Sequence, residues 1–393
     1  MRVAIVHDWL YVIGGAERVL KELLRCYPGA DVFTLFDVLS DEERAFIGFE
    51  KSRTSFLQRI PRIGKIHRAL LPLMPLAIEQ LDLSGYDLVI SSSCAVAKGV
   101  ITGPDQMHIA YVHSPMRYAW DLQHQYLSEN RGPFGLKAAL ARILLHRIRT
   151  WDTVSGLRAN VIVANSAYVA RRIKKAFGRE ANVIHPPADA MPHAASEPRA
   201  SHFLVAGRLV SYKNTRAVIE AFKLMPEQKL IVAGTGPEAA SLRAAAGPNV
   251  TFAGYVSDAE MRRLMAASRA LIFAGEEDFG IVPVEAQAEG TPVLALGRGG
   301  ARETVIADGP GQTGMFFEKP DADNIAACVN AFLAKEAVFS KAACQAHART
   351  FSAERFQRQF KALVDREMQR MSFEVHSARS VQPPPQRPLA AAE

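Results

Sequence analysis

The sequence predicts an α/β protein built from two Rossmann-like, doubly wound parallel-sheet domains that face a central cleft. Short apolar runs such as Asp31–Leu35 and Tyr86–Ser92 alternate with helical stretches, and this rhythm is typical of βαβ units. The rhythm begins again at Phe203–Gly207, after a polar, proline-containing crossing near residues 186–199. A chain of 393 residues is long enough for two domains with full cores.

The composition is that of a soluble globular protein, with 49% apolar and 22% charged residues. We expect no transmembrane helix, since no apolar run reaches about 18 residues. We also expect no signal peptide, because His7 and Asp8 interrupt the apolar run that opens the chain. Four cysteines without metal-ligand spacing favour a reducing cytoplasm. The net charge of +7 favours an anionic partner: a nucleotide, a lipid phosphate or a membrane surface.

A glycine pair, Gly14 and Gly15, opens a helix shortly after the first predicted strand at residues 3–6. Glycine-rich turns between a strand and a helix let backbone N–H groups approach a phosphate at the helix N-terminus. The spacing is not G-x-G-x-x-G, so the dinucleotide fingerprint is absent. A phosphate contact and a plain tight turn both fit this pair.

Residues 51–78 form a basic segment with interleaved apolar side chains and no acidic residue. Pro61, Pro72 and Pro75 forbid one continuous helix, so we expect short pieces. Mixed basic and apolar residues suit an anionic membrane surface. The alternative is a solvated basic face that covers an ordinary core.

His113 follows the predicted strand Ile109–Val112 and so is placed to face the cleft, although a lone histidine is also often structural. Residues 161–166 are expected to close the sheet of the first domain. Asn165 and Ser166 are predicted to cap the helix that follows them.

Two cations, Arg208 and Lys213, flank the loop after the strand Phe203–Gly207 in the second domain. A diphosphate leaving group gains negative charge as its bond breaks, and fixed cations stabilise that charge without reorganisation. The alternative is that both are solvated surface charges.

The central motif follows the buried strand Ala270–Ala274 and contains Glu277, Asp278-Phe279-Gly280, Pro283 and Glu285. If Glu277 lies in the loop and Glu285 in the opening helical turns, both carboxylates face the cleft beyond the carboxyl end of the strand. Ligands of open α/β sheets bind there. Two acids near a helix N-terminus also complement the helix dipole, which is the structural alternative.

These motifs in this order resemble the paired-glutamate signature of the family 4 retaining glycosyltransferases, which have the GT-B fold. The resemblance covers about residues 1–370 and implies transfer of a sugar from a nucleotide diphosphate donor, with retention at the anomeric carbon. It also implies that no metal or other cofactor takes part, and no Asp-x-Asp motif lies at a predicted strand end.

The resemblance also implies the role of each site residue. Arg208 and Lys213 would neutralise the diphosphate, Glu277 and His113 would contact the donor sugar, and Glu285 would bind the ribose. The expected catalytic residues are His113, Arg208, Lys213 and Glu277. The expected donor-binding residues are Gly14, Gly15, Asp278, Phe279, Gly280, Ile281, Glu285, Tyr255 and Val256. Of these, Tyr255 and Val256 are expected near the nucleotide base. A front-face displacement through an oxocarbenium-like transition state is implied, since the pattern supplies no enzymic nucleophile.

The domains implied are an acceptor-side domain at 1–186 and a nucleotide-sugar domain at 199–351. A terminal helix at 352–371 would cross back to the first domain. The tail at 377–393, rich in Pro, Gln and Ala, is predicted to be disordered.

The run from His113 to Asp121 and the basic segment are similar to mannosyltransferases of bacterial polysaccharide assembly. GDP-mannose is therefore the expected donor and UDP-glucose the second choice, with a lipid-linked saccharide as acceptor. We expect a cytoplasmic protein, peripheral at the inner face of the cell membrane, with no nucleic-acid partner. A GT-B epimerase of UDP-sugars and a membrane-surface scaffold remain as alternatives.

Overall fold

The computed structural model describes residues 1–124, 127, 135–189 and 201–380, and for residues 136, 137 and 374–380 it describes the backbone alone. The predicted domain crossing at 186–199 therefore lies partly outside the described residues. The described strands form two sheets, and every pairing between them is parallel. The predicted class, α/β with two doubly wound parallel sheets, is confirmed.

Seven strands form the first sheet: β1 Val3–His7, β2 Asp31–Thr34, β3 Ser52–Thr54, β4 Leu88–Ser93, β5 Met107–Val112, β6 Val161–Ala164 and β7 Asn182–Val183. Six strands form the second: β8 His202–Ala206, β9 Lys229–Ala233, β10 Val250–Gly254, β11 Leu271–Phe273, β12 Val293–Leu296 and β13 Gly314–Phe317. Strands β4 and β5 are buried along their whole length, as expected for a parallel sheet covered on both faces.

The helices of the first domain are α1 Gly15–Cys26, α2 Asp41–Ile47, α3 Ile63–Ile66, α4 Met74–Glu79, α5 Leu136–Ser155 and α6 Ala167–Phe177. Those of the second are α7 Thr215–Lys223, α8 Ala239–Ala245, α9 Asp258–Ala267, α10 Ile281–Ala288, α11 Ala301–Thr304, α12 Ala322–Ala334 and α13 Lys341–Arg349. The last helix is α14 Ala353–Ser380. Short 3₁₀ turns lie at Phe56–Arg59, His67–Leu73, Ala97–Gly99, Ser211–Lys213 and Glu336–Val338.

The six strands of the second sheet repeat the order of the first six strands of the first sheet, which has β7 as an additional strand at its edge. The first runs β3-β2-β1-β4-β5-β6-β7 and the second β10-β9-β8-β11-β12-β13. In each, the order reverses beside the first strand, so the switch points lie between β1 and β4 and between β8 and β11. Loops at the carboxyl ends of the strands diverge there, which leaves a crevice for a ligand. The topology therefore places one candidate crevice in each domain.

The helix α6 shows how local sequence fixes an element that later contacts the cleft. The Ser166 side chain accepts a hydrogen bond from the Val169 N–H and caps the helix, as predicted. Val169 and Ile173 lie on its buried face, and Gly178, at a φ of 70°, ends it.

Helix α14 packs on the first domain. Phe356 and Phe360 are fully buried there and contact Tyr111 of β5. The helix continues through Ser380, so the predicted start of the disordered tail at residue 377 falls inside it. Helical hydrogen bonding carries the element past the predicted boundary, and residues 381–393 lie outside the described part.

The basic segment 51–78 forms short pieces, as its prolines predict: β3, two 3₁₀ turns, α3 and α4. Leu57, Ile63 and Met74 are buried in the core of the first domain. The side chains of Arg59, Arg62, Lys65 and Arg68 are exposed on the other side. Among the described residues, no helix is both long enough and apolar enough to span a membrane.

Candidate active site

The carboxyl-end loops of the two sheets contact each other directly. The Ser166 Oγ, after β6, donates to the Asp278 carbonyl oxygen, after β11, at 2.5 Å. Arg18 of α1, behind the glycine loop, lies 2.7 Å from Glu285 of α10. The crevices at the two switch points therefore open into one shared cleft.

A pocket in the second domain lies at the switch point between β8 and β11. Gly207, Arg208, Lys213, Gly275 and Glu277 are among its lining residues. Three of the four predicted catalytic residues are thus brought together, and Arg208 is the exposed one. A Cβ on Gly207 would lie 2.9 Å from the Lys213 Nζ, and the residue has a φ of 128°, so glycine is required beside the lysine.

Lys213 and Glu277 form an ion pair inside this pocket. The Lys213 Nζ lies 2.9 Å from the Glu277 Oε1, and both side chains are largely buried. Asn214 donates to the Ala274 carbonyl oxygen at 3.0 Å and so holds the lysine loop against the end of β11. Glu277 Oε1 accepts no hydrogen bond of good geometry from any described residue, although the charges are in contact. The carboxylate therefore keeps capacity to accept from ligand hydroxyl groups.

Glu285 is paired across the cleft. Its Oε1 accepts from the Arg18 Nη1, and Arg18 also lies 3.7 Å from the Asp258 carboxylate. Burial raises the pKa of the Glu285 carboxyl, and Arg18 opposes that effect. Glu285, the residue predicted to bind the ribose, is thus hydrogen-bonded to the first domain in this structure.

Asp278 is also engaged by the first domain. Its carboxylate lies 3.0 Å from Arg172 of α6 and 3.5 Å from Arg117, which follows β5. Burial raises the pKa of this carboxyl, although both guanidinium groups lower it. Asp278 therefore ties the central motif to the opposite side of the cleft, and its predicted donor contact remains a prediction.

The rest of the central motif shapes the loop. Phe279 is buried and stacks on His185 with ring centroids 5.5 Å apart. Gly280 has a φ of 83° at the start of α10, with Phe273 close to the position of its missing Cβ. Ile281 is the first residue of α10 and is half-buried. Their donor contacts likewise remain predictions.

Tyr255 and Val256 are not brought to the Lys213–Glu277 pocket. They follow β10, the edge strand of the second sheet, which is two strands away from β8. Tyr255 is 85% exposed, whereas Val256 packs against a core cluster. The structure leaves them beside the cleft without a shared pocket.

His113 lies on the first-domain side, at the carboxyl end of β5. Its Nε2 is 2.8 Å from the Ser92 Oγ. Burial lowers the pKa of His113 to about 3, and nearby His7 adds to that effect. The imidazole is therefore neutral at physiological pH. The Ser92 Oγ also lies 3.1 Å from the His7 Nδ1.

The glycine loop ends in an open helix N-terminus. The Gly14 N–H donates to the Glu17 Oε2 at 2.8 Å, whereas no atom lies within 4 Å of the position of a Cβ on Gly15. The first turn of α1 is therefore accessible to a ligand, and helix N-termini favour anions.

Besides Glu285 and Asp278, the carboxylate of Glu303 in the second domain also contacts the first domain. Glu303 of α11 accepts from the N–H groups of Ala167 and Tyr168, at 2.7 and 3.0 Å. It also lies 2.9 Å from His185. Glu303 therefore satisfies two further N–H groups in the first turn of α6, beside the one that Ser166 caps.

No sequence motif marked several of these residues as functional: Glu17, Arg18, Ser92, Arg172 and Glu303. Arg117 stands in the run that begins at His113, and its position just after a predicted strand was the one available signal. Among the described residues, no group of three or more His, Cys, Asp or Glu side chains is arranged to hold a metal ion.

Two family models match the chain. The model for group 1 glycosyl transferases matches residues 192–350, and the model for glycosyltransferase family 4 matches residues 13–190. Together they cover most of both domains. The chain belongs to the family 4 glycosyltransferases.

The curated relatives match part of the chain. A GDP-mannose-dependent monoacylated alpha-(1-6)-phosphatidylinositol monomannoside mannosyltransferase of Corynebacterium glutamicum is 29% identical over 201 residues, 43% of this chain and 52% of that protein. A glycogen synthase of Mycobacterium tuberculosis is 30% identical over 234 residues, 55% of each chain. The chain thus spans about half the length of these relatives.

Solved structures match over nearly the whole chain. Anabaena Alr3699/HepE, in complex with UDP and glucose, has a TM-score of 0.68 at 19% identity, over 93% of this chain and 99% of that one. A sucrose-phosphate synthase from Thermosynechococcus elongatus also has a TM-score of 0.68, at 17% identity, over 93% and 99% of the chains. The architecture is therefore the GT-B fold.

Proposed function

We propose that the protein is a retaining, metal-independent glycosyltransferase that moves a hexose from a nucleotide diphosphate donor to a lipid-linked or oligosaccharide acceptor. The observation that carries this proposal is the Lys213–Glu277 pair in the pocket at the β8/β11 switch point. In a sugar diphosphate, the buried cation suits the diphosphate and the adjacent carboxylate suits the hydroxyl groups of the sugar. The open N-terminus of α1 and the neutral His113 come from the facing edge of the cleft.

Cation placement supports a role in leaving-group stabilisation. Lys213 is fixed inside the pocket, and Arg208 lies exposed at its rim. As the bond from the sugar to the phosphate breaks, these charges stabilise the growing negative charge of the diphosphate. The backbone N–H groups at Gly15 and the dipole of α1 act in the same direction.

Carboxylate placement supports recognition of hydroxyl groups. Glu277 accepts from hydroxyls of the donor sugar and keeps that sugar beside Lys213. Arg18 donates to the Oε1 of Glu285, and in this proposal Oε2 takes a ribose hydroxyl. His113 contacts the sugar from the first domain. The displacement takes place on one face of the sugar, assisted by the departing phosphate.

The donor is GDP-mannose, with UDP-glucose as the second choice. Similarity to the GDP-mannose-dependent mannosyltransferase of Corynebacterium glutamicum supports mannose from GDP-mannose. We test the donor by thermal unfolding with GDP, UDP and the two nucleotide sugars. A ligand at 100 times its dissociation constant adds roughly 2.7 kcal/mol to the free energy of unfolding.

The transfer itself is followed with the favoured donor and a polyprenyl-diphosphate-linked saccharide. Proton NMR of the product reports the anomeric configuration. Equal rates in EDTA and in Mg²⁺ are expected, because the pocket supplies its own cations. Loss of transfer on chelation that added metal restores would contradict metal independence. Release of an epimerised sugar would identify an epimerase. If no nucleotide sugar changed the unfolding temperature or was turned over, the membrane-surface scaffold would be the remaining alternative.

The basic segment 51–78 supports an acceptor held at an anionic membrane. Phe56, Leu73 and Leu76 are between 41 and 53% exposed among its exposed basic side chains. Helix α5 covers the same core and exposes Leu140 and Ile143, each 54% accessible. Such a surface combines attraction to anionic lipid with insertion of apolar groups.

This part of the proposal is tested by vesicle binding at low salt. We expect the variant Arg59→Gln, Arg62→Gln, Lys65→Gln and Arg68→Gln to bind vesicles of phosphatidylglycerol and phosphatidylcholine more weakly than the wild type. A control variant of equal charge replaces four exposed cations of the second domain with Gln: Arg216, Lys223, Lys229 and Lys319. Equal binding by the two variants would refute docking through this segment.

A further inference from the structure

Four side chains form a continuous hydrogen-bonded chain beneath the first-domain side of the cleft. From His113 Nε2 the chain passes to Ser92 Oγ at 2.8 Å and then to His7 Nδ1 at 3.1 Å. It continues from His7 Nε2 to Glu17 Oε1 at 3.3 Å. The other oxygen of Glu17 accepts from the Gly14 N–H at 2.8 Å. One chain thus joins the histidine of the cleft to the glycine loop.

The inner members of this chain are shielded from solvent. His7, Ser92 and Glu17 are 2%, 0% and 6% exposed. They come from β1, β4 and α1, and the parallel register that pairs His7 with Ser92 brings the first two together. Buried polar groups are retained where hydrogen bonds satisfy them, so the position of each proton in the chain depends on its neighbours.

The donor and the acceptor of each hydrogen bond in the chain can be assigned by starting from Glu17. Burial raises the pKa of Glu17, but the hydrogen bonds from His7 and Gly14 outweigh that effect, so the pKa lies below its usual value and the group is a carboxylate. A carboxylate only accepts, so His7 carries a proton on Nε2. Where Nδ1 of His7 carries no second proton, it accepts from the Ser92 hydroxyl. Because the Ser92 O–H donates to His7, the Ser92 oxygen acts as the acceptor for the Nε2–H of His113.

We propose that Glu17, His7 and Ser92 are positioning residues that hold His113 as its Nε2–H tautomer, with Nδ1 as the acceptor offered to a hydroxyl of the donor sugar. The inference rests on the proposed function, because it assigns His113 to the donor. It adds that the carboxylate that fixes the glycine loop also fixes the imidazole. The two first-domain groups that meet the donor are therefore set by one side chain.

The same two strands contain a matched control. Ser91 Oγ lies 2.8 Å from His108 Nε2, which is also the distance in the Ser92–His113 pair. Both members are fully buried, and burial lowers the pKa of His108 to about 3. The Nδ1 of His108 is buried without a hydrogen-bond partner among the described residues. Ser91→Ala therefore removes a Ser–His bond without touching the chain that leads to Glu17.

The first experiment reads the tautomer directly, by long-range ¹H–¹⁵N correlation on full-length protein labelled at histidine. The His113 signals are assigned from a His113→Asn variant. In the wild type we expect a protonated Nε2 and an unprotonated Nδ1 at His113. Ser92→Ala and Glu17→Gln should shift His113 toward a mixture of tautomers, and Ser91→Ala should leave it unchanged. A wild-type His113 protonated on Nδ1, or equal effects of Ser91→Ala and Ser92→Ala, would overturn the proposal.

The second experiment separates positioning from folding. Ser92→Ala should lower kcat about tenfold, as expected for one lost hydrogen bond, and leave KM for the donor nearly unchanged. Ser92→Thr, which keeps the hydroxyl, should recover most of kcat. Thermal unfolding shows which variants are folded. The NMR result does not depend on turnover, so a protein without transferase activity but with the expected tautomer would refute the proposed function and leave the chain of hydrogen bonds standing.

Discussion

The two glutamates of the central motif are both paired with a cation, but the cations come from different domains. Glu277 lies 2.9 Å from Lys213, which belongs to its own domain. Glu285 lies 2.7 Å from Arg18, which belongs to the other. The two glutamates are only eight residues apart in the chain. The ion pair of Glu285 depends on the relative position of the domains, whereas the ion pair of Glu277 does not.

The difference separates a preorganised contact from a conditional one. The Lys213–Glu277 pair lies within one pocket of the second domain, so its geometry does not require the first domain to be in contact. The Arg18–Glu285 pair exists only when the two sheet edges meet. If Glu285 binds the nucleotide as proposed, it links that binding to closure, whereas Glu277 has no such contact with Arg18.

Removing the preorganised cation should have the largest effect. We expect Lys213→Met to lower kcat by about 100- to 1,000-fold, since one fixed transition-state contact contributes about 2.7–4 kcal/mol. Lys223→Met is the control, because Lys223 pairs with Glu220 on the surface of the same domain. Steady-state kinetics decide the outcome. Similar activity of both variants would remove Lys213 from the reaction.

The two glutamates should differ in which constant they change. Glu285→Gln should weaken binding of the free nucleotide diphosphate by about 1.5–3 kcal/mol, the usual cost of losing a hydrogen bond to a charged group. Glu277→Gln should lower kcat and leave that binding nearly unchanged. Calorimetric titration with the nucleotide, beside kinetics, measures both. An identical pattern in the two variants would show that the glutamates do not serve different parts of the donor.

Breaking the pair across the cleft should have a smaller effect. Arg18 is 31% exposed, so solvent screens its contact with Glu285, and Arg18→Gln should raise KM only a few-fold. Small-angle scattering should show a larger radius of gyration for the ligand-free variant. Arg25→Gln, on the same helix, is the control because Arg25 pairs with Glu22 within that helix. An unchanged radius would mean that other contacts suffice for closure.

The smallest expected effect is a pH dependence at Glu303, the carboxylate that also bridges the domains. Burial raises its pKa, but the bonds from His185, Ala167 and Tyr168 outweigh this and hold it below the usual value of 4.5. Its stabilising contribution is therefore present above pH 4.5 and is lost as the pH falls through its native pKa. The stability difference between wild type and Glu303→Gln should narrow below that pH in urea unfolding. A constant difference would contradict the bridging role.

The fold and the clustering of Arg208, Lys213 and Glu277 in one pocket were predictable because they depend on local patterns. Apolar runs with β rhythm predicted the sheets. Arg208 and Lys213 follow the end of β8, and Glu277 follows the end of β11, which lies beside β8 in the sheet. Pairings set by strand register or by domain closure leave no such pattern. The partners of Asp278 and Glu285 lie more than 100 residues away in the chain, at Arg172 and Arg18.

Register explains the other omissions. Ser92 differs from Ser91 only in its position along β4, yet one faces His113 and the other His108. The sequence Ser-Ser-Ser does not tell which serine meets which histidine until β4 and β5 are aligned. Tyr255 follows the edge strand β10, outside the Lys213–Glu277 pocket, and its contact with the nucleotide base remains a prediction.

Helix α14 affects when the core of the first domain can be completed during synthesis. Phe356 and Phe360 fill the core of the first domain against Tyr111, although about 240 residues of chain separate them, as their numbering in the sequence shows. The ribosome makes the strands of the first domain early and the helix that covers them last. The contacts of Tyr111 with Phe356 and Phe360 can therefore form only after the second domain has been translated.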